Sequence, residues 1–450
     1  MKRLQLVSGI LLGSALLFSG CGGGGGGSSV EKCPESVTLP SWSKKQLNIN
    51  TEVGVKKALS PFYLAQLIGA EWDVEPFSLR SVNPVIRENS TLGKMVAPFT
   101  GLKLFARQGT LQRYDLRQAN ENWQYSCSGG GSVASSRDDA TGAVTLTFSK
   151  CQESDDLAGW LLESIGTGEF EKPTDIESTG TEFSFDGTLK ELYKKNTEAW
   201  DDDAVIDINL AIKIVKSDDG SKGELQSHLH TRIAVNNDED HKKALFEGNG
   251  CLYIDGRSED ANLSDIKIQF ADFKVNTAYD VVARDENDTD KITEFSVKVD
   301  FDGYASLDGS YTDENGAEVN LAGMAFYTKA LQVSFTHEEG DIVDNDELNV
   351  TGKLGDACMG GVVDYQAQLG PVWDDVNGGW FPAEGNMTLN GNQASVTFEN
   401  NEKVTIHTGG TDFVHENASW TDITDEDCRK GYERLWDIFT GLSELFYSEI

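Results

Sequence analysis

Positive charge is scarce in this chain: 38 Lys and Arg stand against 74 Asp and Glu in 450 residues, a formal charge of −36. Phosphate recognition needs clustered cations, so nucleic acid is excluded as a partner and anionic surfaces are repelled. Beyond the N-terminus no run of about 18 consecutive apolar residues occurs, so no later transmembrane helix is expected. The seven cysteines include no C-x-x-C pair, which removes support for a zinc ribbon or a thioredoxin-like redox centre. Catalytic signatures are missing as well. There is no G-x-S-x-G elbow and no P-loop. His337-Glu338 and His415-Glu416 open like a zinc-protease helix, but Asp341 and Ser419 stand where the second histidine belongs. Ser41-x-x-Lys44 and Ser264-x-x-Lys267 lack the companion motifs of penicillin-binding enzymes. The expectation is a protein that is not an enzyme and carries no cofactor.

What is present begins with an address. Lys2 and Arg3 precede an apolar stretch from Leu4 to Phe18, of signal-peptide length. Phe18-Ser19-Gly20-Cys21 then resembles the lipobox of bacterial lipoproteins, which implies removal of residues 1–20 and acylation of Cys21. Gly22 in place of an aspartate implies the outer membrane. Residues 21–32, with six consecutive glycines and two serines after the cysteine, read as a flexible tether. Loss of the leader removes Lys2 and Arg3 and leaves a mature charge of −38. The acyl chains are then the expected membrane partner.

Six cysteines remain: Cys33, Cys127, Cys151, Cys251, Cys358 and Cys428. An even number in an exported chain reads as three disulfides. The spacing predicts a helix within residues 51–73, with Ser60 as cap and Pro61 as a first helical residue, and Phe62, Leu64, Leu67 and Ile68 on one face. A second amphipathic helix is expected over 426–450, where Tyr432, Leu435, Trp436, Phe439, Leu442, Leu445 and Phe446 share a stripe.

Between these segments the period changes to two. Ile206, Ile208, Leu210, Ile212 and Ile214 alternate with polar residues. After a turn at 217–223, Leu225, Leu229, Ile233 and Val235 lie opposite Gln226, His228, His230 and Arg232. Comparable alternation recurs as far as Val404 and Ile406. One-sided alternation with short Gly/Asp/Asn turns indicates antiparallel sheet. Phe185-Asp-Gly187, Phe246-Glu-Gly248 and Phe301-Asp-Gly303 form a faint repeat, each near an expected strand end. The fold class is therefore mainly β: a large curved antiparallel sheet, or two tandem β units, over 121–425. An N-terminal segment with a helix (33–120) and a C-terminal helix flank it.

The stretch from Cys127 to Cys151, "CSGGGSVASSRDDATGAVTLTFSKC", reads as a hairpin closed by its two cysteines. At this point the sequence resembles a loose group of proteobacterial lipoproteins with a lipobox, a glycine tether, a helical segment like "NINTEVGVKKALSPFYLAQLIGA" and a C…GG…TF..C hairpin. The strands "VTGKLGDACMGGVVDY" and "EGNMTLNGNQASVTF" look like the C-terminal part of the same group, although no D-x-D-G-D-G ending follows. The resemblance implies structure and no activity. Among the three arrangements open to the other four cysteines, Cys358 with Cys428 and Cys33 with Cys251 are preferred.

Binding candidates are few. His228 and His230 sit two apart on one strand face, a spacing open to a metal, though two exposed histidines are the simpler reading and no metal site is expected. The acidic turns 285–290 and 341–346 suit calcium by donor type, yet Asp290 occupies the glycine place of an EF-hand loop and Ser296 the place of its bidentate Glu. In "GPVWDDVNGGWFPAEGN", Trp373, Trp380 and Phe381 lie among carboxylates and amides, a composition suited to stacking on sugar rings. The function expected is a structural or binding role in the cell envelope. The alternatives are a carrier of lipid or another hydrophobic ligand on a concave sheet, and a surface adhesin or glycan-binding module.

Overall fold

The alternating segments do form strands, and each pairs with the next. The computed structural model describes residues 33–34, 36–70, 91, 95, 122–167, 170–174, 176–177, 180–195, 197, 199–238, 240–258, 262–285, 292–312, 318–320, 324–338, 345–370, 381–399 and 403–432. The strands are β1 (Trp123–Ser126), β2 (Ser132–Arg137), β3 (Val144–Ser154), β4 (Glu182–Lys195), β5 (Asp202–Lys216), β6 (Lys222–Asn237), β7 (His241–Arg257) and β8 (Asn262–Arg284). Then come β9 (Ile292–Thr312), β10 (Glu318–Asn320), β11 (Met324–Glu338), β12 (Asn345–Asp356) and β13 (Gly361–Gly370). β14 (Glu384–Leu389), β15 (Ala394–Glu399), β16 (Lys403–Thr408) and β17 (Thr411–His415) complete the series. All pairings between these strands are antiparallel; β10 and β11 lie in line along the same side of β9, so the sheet is a single meander sixteen ranks wide. It does not close, and the two tandem units considered from the sequence are one sheet.

Helices α1 (Glu52–Ala70), α2 (Asp156–Thr167) and α3 (Trp420–Ile423) accompany it among the described residues. They fill the inner face of the sheet in two clusters. In one, Leu157, Ala158 and Leu161 of α2 pack with Met95 against Leu146, Phe148, Phe183, Phe185, Leu210 and Ile212. In the other, Val55, Ala58, Leu59 and Phe62 of α1 and Trp420 of α3 pack against Val297, Phe326, Val363, Leu389 and Ile406. At about 25 cal/mol per Å² of apolar surface, burial on this scale is the main stabilising term.

Helix α1 corrects the expected cap. It starts nine residues before Pro61, with Thr51 Oγ1 accepting from the Gly54 N–H at 3.2 Å, and Pro61 lies inside it. An interior proline removes one helical N–H donor. The helix continues through it, and carbonyls on either side of Lys57, the residue that loses its donor, receive tertiary ones: the Tyr365 hydroxyl bonds Ala58 O at 2.7 Å, and the Asp425 N–H bonds Lys56 O at 3.3 Å. Ser60 Oγ donates back to Lys56 O at 2.8 Å in place of capping. Removing the hydroxyl with Tyr365→Phe is expected to destabilise by about 1–2 kcal/mol, read as a lower urea midpoint.

The faint Phe-x-Gly repeat marks a bend. β8 bulges at Asp272 (φ 48) and β11 at Ala330 (φ 49), and Gly303 of β9 lies between them with φ 93. β3 bulges beside Lys150 (φ 48) next to Gly187 of β4, whose φ is 129. Each bulge adds a residue to one strand and increases its local twist, so aligned bulges curl a wide sheet around its helices. Phe185 and Phe301, two residues before these glycines, point into the core. In the third copy Gly248 lies beside a register shift, and the positive φ falls on Gly250.

Candidate functional site

The cysteines pair as Cys33–Cys251, Cys127–Cys151 and Cys358–Cys428, with Cα separations of 5.5, 5.4 and 5.5 Å. Two of the bridges, Cys127–Cys151 and Cys358–Cys428, adjoin buried carboxylates held by several hydrogen bonds.

Asp356 ends β12 and is almost fully buried. Its carboxylate accepts from the Met359 N–H at 2.7 Å and from the Tyr432 hydroxyl. Residues 426–432 are helical and are drawn onto the body here by the Cys358–Cys428 bridge and by Arg429, whose guanidinium lies 5.6 Å from the Tyr63 ring centroid. Burial pushes the Asp356 carboxyl up from 3.8 to about 6, against the opposing hydrogen bonds from Tyr432, Met359 and Cys358. The folded protein therefore holds this proton more tightly than the unfolded chain does. That contribution is complete below about pH 4 and is lost as the pH rises through about 6. Asp356→Asn abolishes the titration. Between about pH 4 and pH 7 the stability of the parent chain should fall relative to the variant by on the order of 3 kcal/mol. Paired urea titrations at the two pH values read this, and a pH-independent difference would contradict it. Cys358, Asp425 and Cys428 form a three-residue grouping of metal-ligand type, but both sulfurs are spent in the disulfide, so it is no metal centre.

Glu153 plays the matching part beside Cys127–Cys151. It accepts from Ser128 N–H at 2.8 Å, Ser128 Oγ at 2.6 Å, Tyr125 Oη at 2.9 Å and Ser154 N–H at 3.0 Å. Burial pushes its carboxyl up, but these four donors more than offset that and hold it below the ordinary value. Tyr125 is pushed up to about 12 by burial and by Glu153. A carboxylate so fully engaged fixes the entry of the hairpin.

The outer face of the sheet carries paired charges in register. Asp203 takes both Arg232 Nε (2.9 Å) and Arg232 Nη2 (3.0 Å), Arg232 Nη1 reaches Glu247 at 3.4 Å, and Glu247 accepts from Lys274 at 2.8 Å. His228 and His230 lie on this face, opposite Cys251 and Asn249 of β7. His230 Nδ1 is 2.5 Å from Asp207, and no metal grouping among the described residues includes either histidine.

The remaining sequence candidates are distributed over the fold. His337 and His415 are on strands β11 and β17, His337 buried with its ring 5.0 Å from that of Phe295, and His415 3.3 Å from Glu52. Ser41 and Lys44 form a 3₁₀ turn, and Ser264 and Lys267 flank a register shift in β8. Phe381 is half-buried and packs on Phe398 at 5.9 Å and Trp420 at 5.4 Å, so its ring belongs to the core. Trp373 and Trp380, Cys21, residues 286–290 and 341–344, and the C-terminal stripe beyond Tyr432 lie outside the described residues. Sequence reasoning missed Asp356, Glu153 and helix α2. The signal for α2 was available: Leu157, Leu161 and Ser164 follow helical spacing, and all three are buried.

No family model matches the chain, and neither a curated protein nor a solved structure matches it.

Proposed function

We propose that this chain is a non-catalytic lipoprotein of the outer membrane, acylated at Cys21, whose wide sheet serves a structural or binding role in the envelope. The observation that carries the reading is the covalent tie between Cys33, at the end of the tether, and Cys251 in the middle of β7. A chain anchored near its terminus transmits that attachment to the body where the tether meets it, and here Cys33 is fixed to β7 by a buried bridge. Three disulfides agree with an oxidising compartment. The buried carboxylates support the same reading, since Asp356 and Glu153 are committed to hydrogen bonds that hold segments in place.

Replacement of Cys21 by alanine tests the anchor. The parent chain should sediment with outer membranes and Cys21→Ala should appear in the soluble periplasmic fraction. A parent chain that is soluble, or a variant that stays in the membrane, would reject the proposal.

A second reading, carriage of an apolar ligand, is favoured by one feature. Ile208, Leu229, Ile268 and Leu307 line the inner face and are only partly buried. Mass spectrometry of an organic extract of the purified protein should then find stoichiometric lipid; an empty extract removes this alternative.

A further inference from the structure

We infer that the Cys33–Cys251 bridge moves the point of attachment from the chain terminus to the middle of the sheet, making the outer face around β7 the surface that confronts the phospholipid head groups. The inference rests on the anchoring proposed above.

Cys251, Tyr253 and Cys33 form a small buried cluster of their own, separate from the two inner-face cores. Cys251 and Tyr253 alternate with Leu252 and Ile254, which belong to the inner face, so the cluster lies on the outer face. The Tyr253 hydroxyl donates to Asp265 at 2.7 Å and fixes the ring beside the bridge. Farther along, Gln46 forms a parallel bridge to Val362, Leu47 N–H bonds Val362 O at 3.0 Å, and Ile49 enters the inner core ahead of α1. The segment from Cys33 to Ile49 is thus a strap from the outer face to the inner one. Both of its ends are fastened, so tension from the membrane is delivered at Cys251.

The point of attachment then biases orientation. Whatever its conformation, the chain from Cys21 to Cys33 spans no more than about 43 Å. Followed along the curled sheet, the ranks from β7 to β17 cover about the same distance at 4.8 Å per strand. The surface at Cys251 therefore always stays within one tether length of the bilayer, whereas the β17 edge, tied only through the sheet, lies farther out on average. Glu224, Asp255 and Asp265 around this site leave no attraction for anionic lipid, so covalent attachment and not adhesion sets the geometry.

The test places one fluorescent non-canonical residue at Asn209, exposed and in line with His228 and Cys251, or at Val414, 52% exposed on β17. The full mature lipidated chain is reconstituted in phosphatidylcholine vesicles bearing a head-group acceptor. Energy transfer should be at least twofold more efficient from 209 than from 414, and the difference should shrink by half or more in the Cys33→Ser/Cys251→Ser variant. Equal transfer from both sites in the parent chain overturns the inference without requiring the variant to fold. A parallel arm attaches the unlipidated chain, tagged with hexahistidine at residue 21, to nickel-chelating vesicles. A twofold difference there, together with failure of the native chain to enter vesicles, would uphold the orientation and reject the acyl anchor.

Discussion

Gly303→Val should lower the stability of the protein by on the order of 4 kcal/mol, among the largest effects of any single replacement. Two causes act together. The φ of 93 is one that side-chain-bearing residues rarely adopt, and a β-carbon built there would lie 2.1 Å from the backbone oxygen of Asp272. Backbone cannot swing aside as a flexible side chain does, so the bulge in β8 or the pairing of β9 with β11 must break. Gly220 supplies the comparison. Its φ is also positive, at 74, but a β-carbon there meets nothing within 4 Å. Gly220→Ala should therefore cost only about 1 kcal/mol, the conformational part alone. Urea midpoints of the two variants separate the causes. A Gly303→Val protein within 1 kcal/mol of its parent would mean that the aligned bulges are incidental to the curl of the sheet.

The second large effect is expected from the disulfides, and their order is predicted as well. Cys33–Cys251 spans 218 residues, Cys358–Cys428 spans 70 and Cys127–Cys151 spans 24. If loop closure in the unfolded chain dominates, replacing each pair by serines should destabilise by about 5, 4 and 3 kcal/mol in that order. The local hairpin also keeps its β2–β3 pairing and the Glu153 hydrogen bonds when its bridge is removed. The long bridge has no such local support, since it joins a strap to a strand. Chemical denaturation of the three double variants gives the ranking. A result with Cys127–Cys151 as the costliest loss would show that native-state contacts outweigh chain entropy.

Much of the sheet was legible because a half-buried strand writes its two faces as alternation. Ile206, Leu210, Ile212 and Ile214 are buried as their spacing requires. The hairpin turn expected at 217–223 occupies 217–221, between β5, which ends at Lys216, and β6, which begins at Lys222. What the alternation does not carry is long-range placement. Nothing in the period of β8 or β9 says that the sheet bends at Asp272 and Gly303, because a bulge is a relation between neighbouring strands. Pro61 misled for a related reason. Local rules put a proline at a helix start, whereas α1 runs through it, with Tyr365 and Asp425 packed against its carbonyls from elsewhere in the chain. The buried acids were invisible in a chain with 74 carboxylates, since composition cannot tell which few are enclosed. Phe381 read as part of a polar loop, yet Trp420, distant in sequence, draws it into the core.

The most direct test of the central claim is the intact mass of the mature protein extracted from membranes, measured before and after reduction. The account predicts a chain that begins at Cys21, carries the added mass of acyl groups on that residue, and gains two hydrogens for each of three disulfides when reduced. A chain that begins elsewhere, carries no acyl mass, or takes up no hydrogen on reduction would contradict it.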